Sequence, residues 1–150
     1  MLLYRLARGG GIEVLLGHPG GPYWAAKDDG AWGIPKGEIE TGEVPFAVAR
    51  REFHEETGHP APSDEAGAIP IGEITKRSGK IVTAWAMFGD LDPRTAVSNT
   101  FPLEWPPRSG QFIDVPEFDR VAWFSAHEAR RRMRPEEFPF VERLLDRVAT

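Results

Sequence analysis

Between Pro45 and Gly58 one helix has to satisfy two demands at once. Pro45 suits a first helical turn, and Gly58 followed by Pro60 stops the helix. At about 100° per residue, Phe46, Ala49 and Phe53 form an apolar stripe, while Glu52, Glu55 and Glu56, spaced i, i+3 and i+4, share the face beside it. A stripe of this kind docks on a sheet, so the acids sit at the margin of a packed surface. Like charges at these spacings repel by a few tenths of a kcal/mol per pair, and crowding against a packed face adds a desolvation cost. A hard divalent cation such as Mg²⁺ removes both, because it prefers oxygen ligands and commonly binds through a few carboxylates plus substrate phosphates. The plain alternative is a solvated face of an amphipathic helix, which is what a Glu-Glu pair on a helix more often means.

The rest of the chain supplies strands for such a helix to pack on. Leu2 to Arg8 and Ile12 to His18 read as strands around Gly9-Gly10-Gly11, and Ile69 to Lys76 and Lys80 to Gly89 as strands around Arg77-Ser78-Gly79. In the last of these, Ile81, Thr83, Trp85 and Met87 point one way and Val82, Ala84, Ala86 and Phe88 the other. Both sets are mostly apolar, as in a strand covered on each side. Pro19 to Gly30 is expected to be an exposed loop carrying Tyr23 and Trp24, and Ala31 to Pro35 a short extended piece. Asp90 to Arg120 holds five prolines and reads as a long irregular excursion. A short strand at Val121 to Phe124, a short helix at Ala126 to Met133 and a C-terminal helix at Pro135 to Val148 complete the chain.

Composition narrows the chemistry. The 150 residues fit one domain and contain no cysteine, which removes thiolate metal sites and cysteine nucleophiles. No apolar run approaches a membrane span, and Met1-Leu2-Leu3-Tyr4-Arg5 lacks a signal peptide's succession of basic, apolar and small residues; a cytoplasmic protein without a membrane partner is expected. The net charge of −5 offers no general attraction to nucleic acid. His18, His54, His59 and His127 show no paired metal spacing, and Ser98, Ser109 and Ser125 no nucleophile motif.

Six glutamates, Glu38, Glu40, Glu43, Glu52, Glu55 and Glu56, stand between Lys36 and Gly58 against the bases Lys36, Arg50 and Arg51, giving this window a net charge of −3. Gly37 is followed by Glu43, then by Arg51-Glu52, Phe53, Glu55-Glu56 and Gly58. This pattern, from Gly37 to His59, resembles the Nudix box, with its charged and glycine positions filled at the family's spacing. One position departs: His59 stands where a bulky aliphatic is usual, which bears on packing at the helix end. The resemblance extends to Trp32-Gly33-Ile34-Pro35-Lys36-Gly37 before the box and to Val121-Ala122-Trp123-Phe124 with Glu128-Ala129 after it. It implies an α/β fold, an α/β/α sandwich with a central mixed β-sheet.

The resemblance also implies roles. Glu52, Glu55 and Glu56 become ligands of Mg²⁺, for which Mn²⁺ can substitute, joined by the Gly37 carbonyl. Arg51 pairs with Glu55 one turn on, and Glu43 braces loop and helix. The reaction implied is hydrolysis of a diphosphate linkage in a nucleotide derivative by water attacking phosphorus. A carboxylate base from outside the box makes Glu104 the first candidate and Glu117 the second. Lys36 is a phosphate contact, and Trp32 and Trp105 are candidates to stack on a base, with core packing the rival. Downstream of the box stand Ile74, Thr75, Lys76 and Arg77, where neither the proline of ADP-ribose hydrolases nor the tyrosine of diadenosine-polyphosphate hydrolases is found. The Trp32 to Glu38 stretch is similar to dinucleoside-polyphosphate and diphosphoinositol-polyphosphate hydrolases, which favours nucleoside or dinucleoside polyphosphates. The partner expected is thus a small phosphorylated molecule, with the protein a monomer or homodimer. Two rivals stand: a Nudix-like module that binds nucleotides without hydrolysis, and an RNA-associated protein using Arg130, Arg131, Arg132 and Arg134.

Overall fold

Alternation along the strands decides how the layers stack. The computed structural model describes residues 1–37, 39 and 41–149. Its elements run β1 (Leu2–Leu6), β2 (Ile12–Pro19), α1 (Pro45–Thr57), β3 (Ile69–Thr75), β4 (Ile81–Phe88), β5 (Thr100–Glu104), β6 (Phe112–Pro116), β7 (Phe118–Ser125), α2 (Ala126–Arg132) and α3 (Phe138–Val148). Five strands form one sheet in the order β3-β4-β1-β2-β7. The β1–β4 pair is parallel and the other three pairs are antiparallel, so the sheet is mixed.

Successive residues feed opposite cores, as a period of two requires. Leu2, Val14, Leu16, Ala84 and Ala86 pack with Phe138, Phe140, Val141 and Leu144 from the α3 side. Leu3, Leu15, Met87 and Val121 pack with Phe46, Ala49 and Phe53 of α1 on the other face. The result is the α/β/α sandwich, and β4 divides its residues between the two faces as its sequence predicts. Phe53 is 1% exposed and anchors α1; burying such a side chain is worth roughly 2–3 kcal/mol.

The segment from Asp90 to Arg120 corrects the sequence reading. It is not an irregular excursion but carries a 3-10 turn at Pro93–Thr95, a separate two-stranded hairpin of β5 and β6, and the start of β7. Prolines misled because each hairpin strand has one partner only, leaving an open edge where a missing amide breaks no ladder. Pro102 pairs with Asp114 and Pro116 with Thr100 in that register. The last sheet strand is correspondingly longer than Val121 to Phe124, and α3 begins at Phe138, three residues after Pro135. Among the described residues no helix is long and apolar enough to cross a membrane.

Candidate functional site: an acidic helix edge closed by a glycine loop

The chain enters the site from Gly33, whose amide and carbonyl pair with Gly17 in β2, and from Ile34, which is fully buried. This docking lays Lys36 and Gly37 across the side of α1. The Lys36 amide donates to Glu56 Oε2 at 2.9 Å. Gly37 packs directly on the Glu52 carboxyl group, so closely that an added Cβ would overlap Glu52 Cδ and Oε1. The glycine is there for close approach.

Glu56 is 6% exposed, a nearly buried carboxylate on the packed side of the acidic face. Burial pushes its pKa up to about 8; the Lys36 charge opposes this, and the negative charges of Glu52 and Glu117 add to it. Glu52 is also raised, first by burial and then by Glu55, with Arg51 opposing. Glu55 lies on the outer side, with its side chain 41% exposed and 3.8 Å from Arg51 Nε. Arg51 spans the group: its guanidinium lies 2.7 Å from Glu43, 3.4 Å from Glu52 and 3.8 Å from Glu55. Its pairing with Glu43 is the closest and ties the loop before α1 to the helix, the bracing role expected of Glu43.

Glu117 joins this group from the β6–β7 junction. Its charge acts on both Glu52 and Glu56. Its position is held by main chain: the Glu117 amide donates to the Asn99 carbonyl at 3.0 Å, and the Asn99 amide donates to the Glu55 carbonyl at 2.7 Å. Glu104, the first base candidate from sequence, is elsewhere occupied. Its Oε1 accepts from the Arg108 amide at 2.9 Å and closes the end of the β5–β6 hairpin. The second-ranked glutamate is therefore the one brought to the box.

Other expectations also move. Trp32 is 3% exposed, wedged edge-on between His18 and Phe124, and its Nε1 donates to Asp28 Oδ1 at 2.8 Å. It is core, because the Gly33 bridge to β2 turns its side chain inward, and it offers no face to a base. Trp105 lies half-buried against Tyr23 at a ring separation of 5.2 Å, within the hairpin region. Of the arginine cluster, Arg132 is paired with Asp28 and Asp29, Arg131 with Asp29, and Arg130 with Glu142, so acids on neighbouring segments already face it. His59, the departure in the box, donates or accepts at Thr95 Oγ1 across 2.8 Å and closes the helix end onto the Pro93–Thr95 turn. Glu38 and Glu40 lie outside the described residues.

Sequence reasoning missed Glu137. This carboxylate is fully buried at the N-cap of α3; its Oε1 accepts from the Ile34 amide at 3.1 Å, and its Oε2 lies 3.0 Å from Lys36 Nζ. In sequence it is one more acid in Pro135-Glu136-Glu137-Phe138, with nothing to mark it as interior.

Among the described residues no three acidic or imidazole side chains converge closely enough to grip an ion as they stand. The donor set nevertheless fits a hard cation. Two carboxyl groups are partly or wholly withdrawn from water, so that their charged forms lack stabilisation that a cation would supply, a third stands one turn along, and the glycine cradle leaves the Gly37 backbone as an oxygen donor beside Glu52.

A family model described as the NUDIX domain matches residues 6–144. The chain belongs to the Nudix family. A Mycolicibacterium smegmatis protein named 8-oxo-(d)GTP phosphatase is 39% identical over 82 residues, covering 51% of this chain but 23% of its own length. This Nudix chain thus aligns with only about a quarter of that curated relative. Among solved structures, a C. elegans Ap4A hydrolase binary complex superposes with a TM-score of 0.63 at 18% identity, covering 99% of this chain and 95% of the other. The Nudix hydrolase RenU from M. smegmatis gives a TM-score of 0.52 at 21% identity, covering 99% and 83%. At those identities the superpositions establish the Nudix fold.

Proposed function

We propose that this Nudix protein hydrolyses a diphosphate linkage in a nucleotide derivative, with Mg²⁺ held by Glu52, Glu55, Glu56 and the Gly37 carbonyl. The observation that carries the reading is Glu56: a carboxylate 6% exposed, fixed by the Lys36 amide at 2.9 Å and crowded by two other acids. A purely structural role is better served by an apolar or amide side chain, since a buried charge without a cation is costly. The metal supplies Lewis-acid activation of water and neutralises charge on the phosphoryl oxygens. The chain's own groups do the rest. Arg51 keeps Glu52 and Glu55 oriented; Glu117, outside the box, takes the proton from the attacking water, a role supported by its charge acting on both Glu52 and Glu56. That the printed names of the relatives include an 8-oxo-(d)GTP phosphatase and an Ap4A hydrolase supports a nucleotide substrate, and the entry to the box favours nucleoside or dinucleoside polyphosphates.

The test is a panel of nucleoside di- and triphosphates, dinucleoside polyphosphates, nucleotide sugars and diphosphoinositols, assayed with Mg²⁺, with Mn²⁺ and with EDTA. Activity on a nucleotide that disappears with EDTA and in Glu52→Gln and Glu56→Gln supports the assignment. Tight nucleotide binding with no turnover on the whole panel would transfer the protein to the class of non-hydrolysing Nudix modules.

A further inference from the structure

The chain between Trp32 and Lys36 stays bonded after its main-chain partners run out. The Trp32 amide donates to the Arg132 carbonyl at 3.0 Å, and the Arg134 amide donates to the Trp32 carbonyl at 2.9 Å. Gly33 is bonded to Gly17 of β2. Beyond it the acceptors are side chains: the Ile34 amide donates to Glu137 Oε1 at 3.1 Å, and the Lys36 amide to Glu56 Oε2 at 2.9 Å. Alternate amides, at 32, 34 and 36, thus find acceptors outside β2, first a carbonyl and then two carboxylates, one from α3 and one from α1. Ile34 is fully buried, and without Glu137 its amide would have no water to turn to.

A carboxylate is the group this position needs. Gly33 admits it, since an added Cβ there would lie 2.9 Å from Glu137 Oε1 and 3.3 Å from Oε2. Glu137 Oε2 lies 3.0 Å from Lys36 Nζ, and the same ammonium group is 3.4 Å from the Ile34 carbonyl. Both groups that face the carboxylate are donors, so a glutamine would have to turn its NH₂ towards one of them. Lys76 and Arg134, at 3.9 and 3.8 Å from Oε2, add to the positive charge that offsets a wholly buried acid.

The other end of the segment is gripped in the same way, with Glu52 packed on Gly37 and Glu56 bonded to the Lys36 amide. Between the two bonded amides stands Pro35, whose ring fixes φ, so a displacement at Ile34 is passed on to Lys36 and Gly37. We propose that Glu137 is the positioning residue of the acidic site. From α3, on the opposite face of the sheet to α1, it sets the segment from Ile34 to Gly37, and through that segment the Glu56 carboxyl group and the Gly37 carbonyl. The clamp stands on these contacts alone; its consequence for metal binding and turnover rests on the hydrolase reading.

Amide hydrogen exchange of the whole protein in EDTA, read by NMR, tests the clamp without metal or turnover. In Glu137→Gln the Lys36 amide, which is bonded to Glu56 and not to Glu137, is expected to exchange about tenfold faster than in wild type. Ile34 should accelerate with it, both beyond any change at Leu15 and Leu16 in the middle of β2, which report global opening. Gly33→Ala presses on the same carboxylate with its charge intact and should act alike, so the test survives a Glu137→Gln protein that does not fold. Titration with Mn²⁺ should show affinity about 10–100-fold weaker in either variant, and kcat on a nucleotide should fall by a similar factor with KM little changed. Leu144→Ala, which opens a cavity further along the same helix, should lower Tm and keep the wild-type Mn²⁺ affinity. Acceleration at Ile34 alone, acceleration no greater than at Leu15 and Leu16, or a Mn²⁺ affinity unchanged in Glu137→Gln or lost equally in Leu144→Ala overturns the proposal. A wild type that neither binds Mn²⁺ nor turns over any nucleotide removes the hydrolase reading, and the exchange rates then decide the clamp alone.

Discussion

Replacing Glu56 by Gln should make the metal-free protein more stable while destroying its activity. Glutamine keeps an oxygen for the Lys36 amide and removes the charge. The folded-state pKa of about 8 lies above the ordinary 4.5, so between those values the folded protein holds a proton that the unfolded chain has released. Stability then falls as pH rises through this window, with no cost below 4.5 and the full cost above 8. From 4.5 to neutrality is two and a half pH units at about 1.4 kcal/mol each, so wild type carries a burden of about 3 kcal/mol at pH 7 that Glu56→Gln lacks. For a chain of this size that is roughly 6–12 °C in Tm. The assay is denaturant or thermal unfolding in EDTA from pH 5 to 8. The two proteins should coincide near pH 5 and diverge towards pH 8, with the variant on top. Adding Mg²⁺ at about a hundred times its Kd should return about 3 kcal/mol to wild type and much less to the variant. A variant no more stable than wild type at pH 8 in EDTA refutes the claim that burying the Glu56 carboxyl costs stability above its ordinary pKa.

Three further outcomes are expected. Gly37→Ala places a methyl group inside the Glu52 carboxyl group; displacing that group should lower kcat about 100-fold with little change in unfolding, and near-normal kcat would show that the contact is not needed. Glu117→Gln should cost 10²–10⁴-fold, on the order of a lost general base, whereas Glu104→Gln stays near wild type; steady-state rates in the reverse order would restore the hairpin glutamate. Glu137→Gln leaves the Lys36 and Lys76 ammonium groups without their shared carboxylate, so its Tm in a thermal unfolding scan should drop. An unchanged Tm would show that the fold does not depend on this buried ion pair.

The layers were legible because they depend on local periodicity. The stripe of Phe46, Ala49 and Phe53 and the alternation through β4 each state a buried face in their own spacing. The edge hairpin was not, since Pro102 and Pro116 carry the same letter whether they break a central strand or sit on an open edge. At the site, Glu52, Glu55 and Glu56 share a helix and could be read together. Glu137 and Glu117 come to Lys36 and the box through tertiary placement, and nothing in their neighbours tells them from surface acids.

The two main-chain bonds at Asn99 separate the hairpin's shape from the position of Glu117. One bond reaches the Glu55 carbonyl and the other receives the Glu117 amide, so both ends of the 100–116 stretch are anchored at a single residue beside α1. Whatever lies between is a detour that leaves and returns to the same place. Val115 is buried and, with Pro116, packs on Gly20 and Gly21, so this end stays fixed, while the outer end with exposed Phe112 and Ile113 is expected to tolerate changes of length and sequence without moving Glu117. The tip of the hairpin is thus a variable element mounted next to a fixed cluster of acids, a natural point at which descendants of one scaffold could vary what they recognise while leaving that cluster in place.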